Sequence, residues 1–283
     1  MPEDAWDVSA EGNGSVMAWM VNGCDLYIAG EGGVTANPDS QFMFERYEEL
    51  KSIEFNDCFY TDLVEKMSGF FCECYKLESL DLSFWNTASV KNMKAVFQAC
   101  TSLREIDLSS FNTAKVTKMS NMFARCRSLT TIDLSNFETG SVEDFGGMFT
   151  NCEKLETLDI SHFETSSATD ISGMFSGCES LKELDLSNFD TDQVDDMAAL
   201  FNGCEKLEKL DISSFKTDKV RRFTNMFRYC GELKELDLSH FEFDSATITK
   251  GMFQECGITD IGCAITLPDG CDAQDMYKGS KLG

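Results

Sequence analysis

Residues Met122 to Phe145 read MFARCRSLTTIDLSNFETGSVEDF, and this pattern returns at intervals of 26 residues along most of the chain. Cys74, Cys100, Cys126, Cys152, Cys178, Cys204, Cys230 and Cys256 keep the register. A Phe precedes the cysteine by three residues from Phe97 to Phe253, and a Leu follows it by three from Leu77 to Leu233. A short unit repeated at a fixed period cannot bury its apolar face alone and must stack on its neighbours. The cysteines are therefore read as one column of a stacked array and not as a disulfide framework.

Within the block LDLS, at Leu80 to Ser83 and its copies, apolar and polar residues alternate. That alternation predicts a short strand with Leu80 and Leu82 inward and Asp81 and Ser83 outward. Continued alternation would bring the polar column Ser110, Asn136, His162, Asn188, Ser214 and His240 inward, so the chain must turn there. Beyond the turn, Thr87, Val90, Met93 and Val96 recur every three residues, which predicts short 3₁₀ or α turns with Thr or a nearby Ser as a cap. The expected fold is an α/β repeat solenoid with one parallel strand per repeat; its pattern LxxLxL, with Ile allowed, resembles leucine-rich repeats.

The fuller pattern MFxxCxxLxxLDLSxFxTxxVxxM, with Ile132 for one Leu and Phe145 for the last Met in the quoted copy, resembles the BspA-like bacterial surface repeats. The resemblance covers about Met43 to Cys256, and Phe243 departs from it by standing where Thr is expected. It implies a secreted or cell-surface protein. Its openings Trp6-Asp7-Val8-Ser9 and Gly30-Glu31-Gly32-Gly33-Val34 are similar to segments that precede such repeats.

Three segments are expected: a cap at 1–42, the solenoid at 43–257 and a C-terminal cap or further repeat at 258–283. In the first, Val16 to Val21 and Cys24 to Ala29 read as two strands joined by Asn22-Gly23, a strong hairpin signal. In the last, the register slips at Ile258 and Ile261, and Met276, Tyr277 and Ser280 look like the start of another copy. The chain reads as a piece of a longer protein.

The net charge of -25 argues against nucleic-acid and anionic-lipid partners, which are bound through clustered Lys and Arg. No stretch has the roughly 18 consecutive apolar residues of a membrane helix, so membrane insertion is not expected. The 42% hydrophobic content is that of a folded, globular chain.

Asp81, Asp107, Asp133, Asp159, Asp185, Asp211 and Asp237 form one outward column. At a strand spacing of roughly 4.8 Å, neighbouring carboxylates repel by about 0.9 kcal/mol in a water-like dielectric and about 3.5 kcal/mol at an effective dielectric near 20. They must be solvated, bonded to the Ser column, or met by cations or basic ligand groups. Both a structural role and a partner-binding role stay open. Specificity needs positions that differ between coils, and these flank the column: Arg104, Lys182 and Lys209 stand where other coils carry Glu or Thr. The candidate footprint is Asp107, Asp133, Asp159, Asp185 and Asp211 with Arg104, Lys182 and Lys209.

The cysteines recur at apolar spacing and are expected to be buried and reduced, whereas zinc sites bring Cys pairs together at one point. Cys24, Cys58, Cys263 and Cys271 leave a terminal disulfide open. His162 and His240, three coils and about 14 Å apart, cannot share a metal. No GxSxG, HExxH or GxxxxGK occurs, so neither catalysis nor a cofactor is expected. The resemblance implies a protein-binding module, an adhesin or ligand for a host extracellular or cell-surface protein, with the chain a monomer. The alternatives are a structural spacer and a carbohydrate-binding module. The latter usually needs exposed aromatic platforms, and Trp85 falls in a core column.

Overall fold

In the computed structural model, which describes residues 5–7, 16–23, 25–30, 32–55, 59–243, 247–257, 263–271 and 276, the repeat register becomes a spatial one. Leu82, Leu108, Leu134, Ile160, Leu186, Ile212 and Leu238 are buried in one continuous core with the Phe, Met and Cys columns. The aspartates beside them are exposed, as the alternation predicts. Through this core runs a stack of phenylalanine rings. Phe44, Phe71, Phe97, Phe123, Phe149, Phe175, Phe201, Phe227 and Phe253 lie near-parallel, 5.5–6.1 Å between successive centroids.

The described strands are β1 (Trp6–Asp7), β2 (Val16–Val21), β3 (Asp25–Gly30), β4 (Val34–Thr35), β5 (Ser52–Glu54), β6 (Phe59–Tyr60), β7 (Glu183–Asp185), β8 (Lys209–Asp211), β9 (Glu235–Asp237) and β10 (Ala264–Thr266). β2 and β3 form an antiparallel hairpin, and β3 pairs in parallel with β5, so the hairpin prolongs the face built by the first coil. Val21 pairs with Asp25, which leaves three residues in the hairpin loop instead of the expected two. Cys24 in that loop, Cys58, the segments Val8-Ser9 and 258–262, and Tyr277 and Ser280 lie outside the described residues.

One paired strand per coil is found only in part. β7 and β8 pair, as do β9 and β10, whereas the LDLS blocks from Leu80 to Ser161 keep the in-and-out alternation without strand pairing. Between β7 and β8 charge favours the pairing. Glu183 lies opposite Lys209 with an ion pair of 3.6 Å, while the same column of the earlier coils holds Ser79, Glu105, Thr131 and Thr157. Opposite charges across strands add roughly 0.2–1 kcal/mol, and like charges such as the Asp row oppose pairing.

The expected 3₁₀ or α turns are not confirmed on the return side, where no helix occurs among the described residues. Alternate backbone N–H groups point to different coils. Met122, Ala124 and Cys126 donate within their own coil to Met119, Asn121 and Phe123. Met119, Asn121, Phe123 and Arg125 donate to Asp144, Gly146, Met148 and Thr150 of the next coil. A helix would direct its N–H groups into its own turn and leave none for stacking. The alternation needs left-handed residues, and Asn121 (φ 57°) and Arg125 (φ 63°) supply them here. For a non-glycine residue such a conformation costs about 1–2 kcal/mol, offset by the buried peptide groups it allows to pair. Gly177 shows the steric side: a Cβ there would sit 2.3 Å from Oδ1 of Asn151.

The Thr column is likewise not a set of helix caps. Thr61, Thr87, Thr113, Thr139, Thr165, Thr191 and Thr217 are buried. The Thr139 hydroxyl donates to the Glu164 carbonyl at 3.0 Å and accepts the Glu164 N–H at 2.8 Å, clipping one coil to the next. Phe243, the departure from the column, packs its ring instead on Phe223 and Phe241. Ion pairs such as Lys91–Glu65, Lys216–Asp192 and Arg222–Asp196 also join successive coils, and the exposed ones contribute little.

Two outcomes follow from this packing. Thr139→Val, which keeps the shape but removes both bonds, should lower unfolding free energy by about 1–3 kcal/mol in urea titration, and Thr139→Ser by less. Cys126 and Cys152 should resist a thiol-alkylating reagent in the native protein and react once it is unfolded, with intact mass as the readout. Burial pushes the Cys126 thiol up to about 12.

Candidate partner-binding face

Each aspartate of the outward column ends its strand segment by a local bond. Oδ1 of Asp81, Asp107, Asp133, Asp159, Asp185, Asp211 and Asp237 accepts the N–H of the Ser two residues on, at 2.9–3.1 Å. Ser83, Ser161 and Ser213 add a hydroxyl bond at 2.7–2.8 Å. This side-chain turn is why the residue is the same in every coil: it fixes the corner after the strand. Among the described residues no bond to Oδ2 is formed, and each of these aspartates is exposed.

The bonds outweigh the repulsion between neighbours. Bonds from the Ser side chain and then from its N–H hold Asp81, Asp107, Asp159 and Asp185 below the ordinary carboxylate range. For Asp133 and Asp237 the backbone bond leads. The adjacent aspartate raises Asp81, Asp107 and Asp185 against this effect without reversing it.

The flanking columns divide the face. Lys209 is paired with Glu183 and Lys234 with Glu208, so the coils of Asp185 to Asp237 carry their cations beside anions. In the coils of Asp81 to Asp159, Arg104 is the single cation of the flanking columns, among Glu78, Glu105 and Glu156. A shallow hollow of about 460 Å³ lies in this half, lined by Glu105, Asp107, Asp133, Ser109, Ser135 and Asn136 among others. The candidate residues Asp107, Asp133, Asp159, Asp185, Asp211, Arg104, Lys182 and Lys209 are all exposed.

Sequence reasoning placed Trp19 and Tyr27 only in the cap. They are a cross-strand pair stacked at 5.6 Å, and Tyr27 lies opposite Glu54 of β5, so they border the same face. Hairpin alternation was the signal that could have placed them. Trp85 is buried among Phe55, Phe59, Phe70 and Phe71 and offers no platform. The histidines act as stacking links: Nε2 of His162 lies 3.1 Å from the Leu134 carbonyl, and that of His240 lies 3.2 Å from Ile212. Ser110 and Asn136 bond the preceding coil in the same way. The ladder cysteines are donors too, as Cys126 Sγ to the Phe97 carbonyl at 3.2 Å shows. Among the described residues no group of three or more His, Cys, Asp or Glu could hold a metal ion, and no helix is long and apolar enough to cross a membrane.

The family described as "Mycoplasma protein of unknown function, DUF285" matches residues 39–158 and 144–261, most of the chain. The chain belongs to the DUF285 family. Both matched segments fall on the 26-residue coils, whose motif is that of BspA-like leucine-rich repeats. No curated protein matches this DUF285 chain. Solved structures similar to it include a leucine-rich repeat protein from Bacteroides ovatus, 15% identical, covering 93% of this chain and 80% of that one, with a TM-score of 0.48. A leucine-rich cell surface protein from Faecalibacterium prausnitzii is 16% identical, covers 98% of both chains and has a TM-score of 0.28. The pneumococcal vaccine antigen PcpA is 14% identical, covering 93% and 84%, with a TM-score of 0.33. At these values the likeness says nothing of a partner or a site.

The corner bonds predict a pH dependence with a definite sign. Asp81, Asp107, Asp133, Asp159, Asp185 and Asp237 titrate below the unfolded value of about 3.9, so their stabilisation is present above that pH and is lost as pH falls through the folded values. Asn preserves the acceptor without the titration, as Asn86 does toward the Ala88 N–H at 3.1 Å. The melting temperature should therefore drop more between pH 5 and pH 3 in the natural protein than in an Asp107→Asn, Asp133→Asn, Asp159→Asn variant.

Proposed function

We propose that this solenoid is a protein-binding module displayed outside the cell, an adhesin or ligand for a host extracellular or cell-surface protein. Its footprint is the outward face, with Asp107, Asp133, Asp159, Asp185 and Asp211 at the centre and Arg104, Lys182 and Lys209 as the coil-specific positions. The observation that carries the reading is the exposed aspartate row itself: in each carboxylate one oxygen holds the corner, and the other has no donor among the described residues. That row is least compensated between Asp81 and Asp159, so the partner presents Lys and Arg there. Complementary charge of this kind steers association and fixes register. The extracellular location rests on the resemblance of the repeat to BspA-like surface repeats.

The test is kinetic. With a partner captured from host serum or cell-surface extract, the Asp107→Asn, Asp133→Asn, Asp159→Asn variant should associate at least tenfold more slowly at low salt while melting like the natural protein at neutral pH. Glu143→Gln with Asp195→Asn, on the return side, should leave association unchanged. Loss of binding in the return-side variant with retention in the first would move the footprint off this face. A folded solenoid that captures no partner favours the spacer reading.

A further inference from the structure

The last cysteine of the ladder differs from those before it. From Cys74 to Cys230 each Sγ donates to the carbonyl of a Phe in the preceding coil, at 3.0–3.3 Å. The Cys256 thiol instead interacts with the side chain of Cys263, which packs against the neighbouring Gly257. The chain brings them together in a defined way. β10 begins at Ala264 and lies parallel to β9, with the Ala264 N–H bonded to the Lys234 carbonyl at 3.0 Å. Gly257, with φ 61° and its N–H on the Cys230 carbonyl, lets Cys263 close onto the coil: a Cβ on Gly257 would lie 2.4 Å from that of Cys263. Cys256 is 8% exposed, whereas most ladder cysteines are wholly buried, and Cys263 is half-buried.

We infer that Cys256 and Cys263 are a dithiol built to form a disulfide, which fastens the segment entering β10 to the final coil once the protein meets a disulfide oxidant. The oxidant is a small-molecule or protein disulfide outside the thiol-reducing cytosol. Cys263 is the attacking group, because it is the more accessible of the two to an external oxidant. Its thiolate attacks one sulfur of the oxidant, forming a mixed disulfide and releasing one thiolate. Cys256 then gives up its proton to solvent and attacks the Cys263 sulfur, expelling the second thiolate. Two protein thiols are oxidised by two electrons, and the external disulfide is reduced to two thiols. The other ladder cysteines stay reduced, because each is sealed in the core with its proton on a carbonyl.

The full chain, purified reduced, is equilibrated with oxidised glutathione under native conditions, alkylated and digested on the amino side of aspartate. The expected product has lost about 2 Da and contains a fragment ending at Thr259 joined to the fragment from Asp260 to Pro268, which hold Cys256 and Cys263. Cys271→Ser should form the same link, and Cys263→Ser, folded as judged by an unchanged melting curve of the reduced protein, should form none. A link between Cys263 and Cys271, or full alkylation of both Cys256 and Cys263 after equilibration, overturns the inference.

Discussion

The hydrogen bond from one coil to the next is the constraint on which this molecule depends. A coil of 26 residues leaves many of its return-side N–H groups pointing along the solenoid axis, where a neighbouring backbone in register must accept them. Buried peptide groups without partners would cost about 1–3 kcal/mol each, so a slip of even one residue is penalised along the whole coil. The left-handed residues, the Thr clips and the Cys–carbonyl bonds all serve this one requirement by aiming donors across the coil boundary. The phenylalanine stack fills the space these bonds define, adding apolar burial along the same axis.

That requirement also explains why identity between coils has two meanings. Asp133 and its equivalents are the same everywhere because each must cap its own corner, which no other side chain but Asn does as well. Glu183, Lys209 and Glu235 differ because the backbone asks nothing of them, and charge there is free to vary. A repeat protein can thus hold its architecture constant while its outward columns change, which is a general advantage of stacked folds for recognition.

The ends break the rules that the interior obeys. At the start, the β2–β3 hairpin supplies paired strands where a preceding coil would stand, and brings Trp19 and Tyr27 beside the acidic row. At the other end, the Phe253 N–H is taken by the Met276 carbonyl as the Phe227 N–H is by Met252, although the spacing to Met276 is no longer that of the repeat. Cys256 has Cys263 packed beside it at the neighbouring Gly257.

The amino-acid sequence by itself determined the period, the stacked core, the inward Leu and outward Asp, and the burial of the cysteines. These follow from residue type and spacing, since apolar side chains at a fixed interval admit one common interior. It did not determine what the return segment or the Thr column does. A three-residue rhythm fits helical turns and alternating turns equally, and whether an N–H bonds inside its coil or across to the next depends on the neighbour's position. The proximity of Trp19 and Tyr27 to the acidic face and the approach of Cys263 to the coil of Cys256 were likewise decided by tertiary structure. Each joins residues whose contact exists only after the coils have stacked, and no local pattern encodes it.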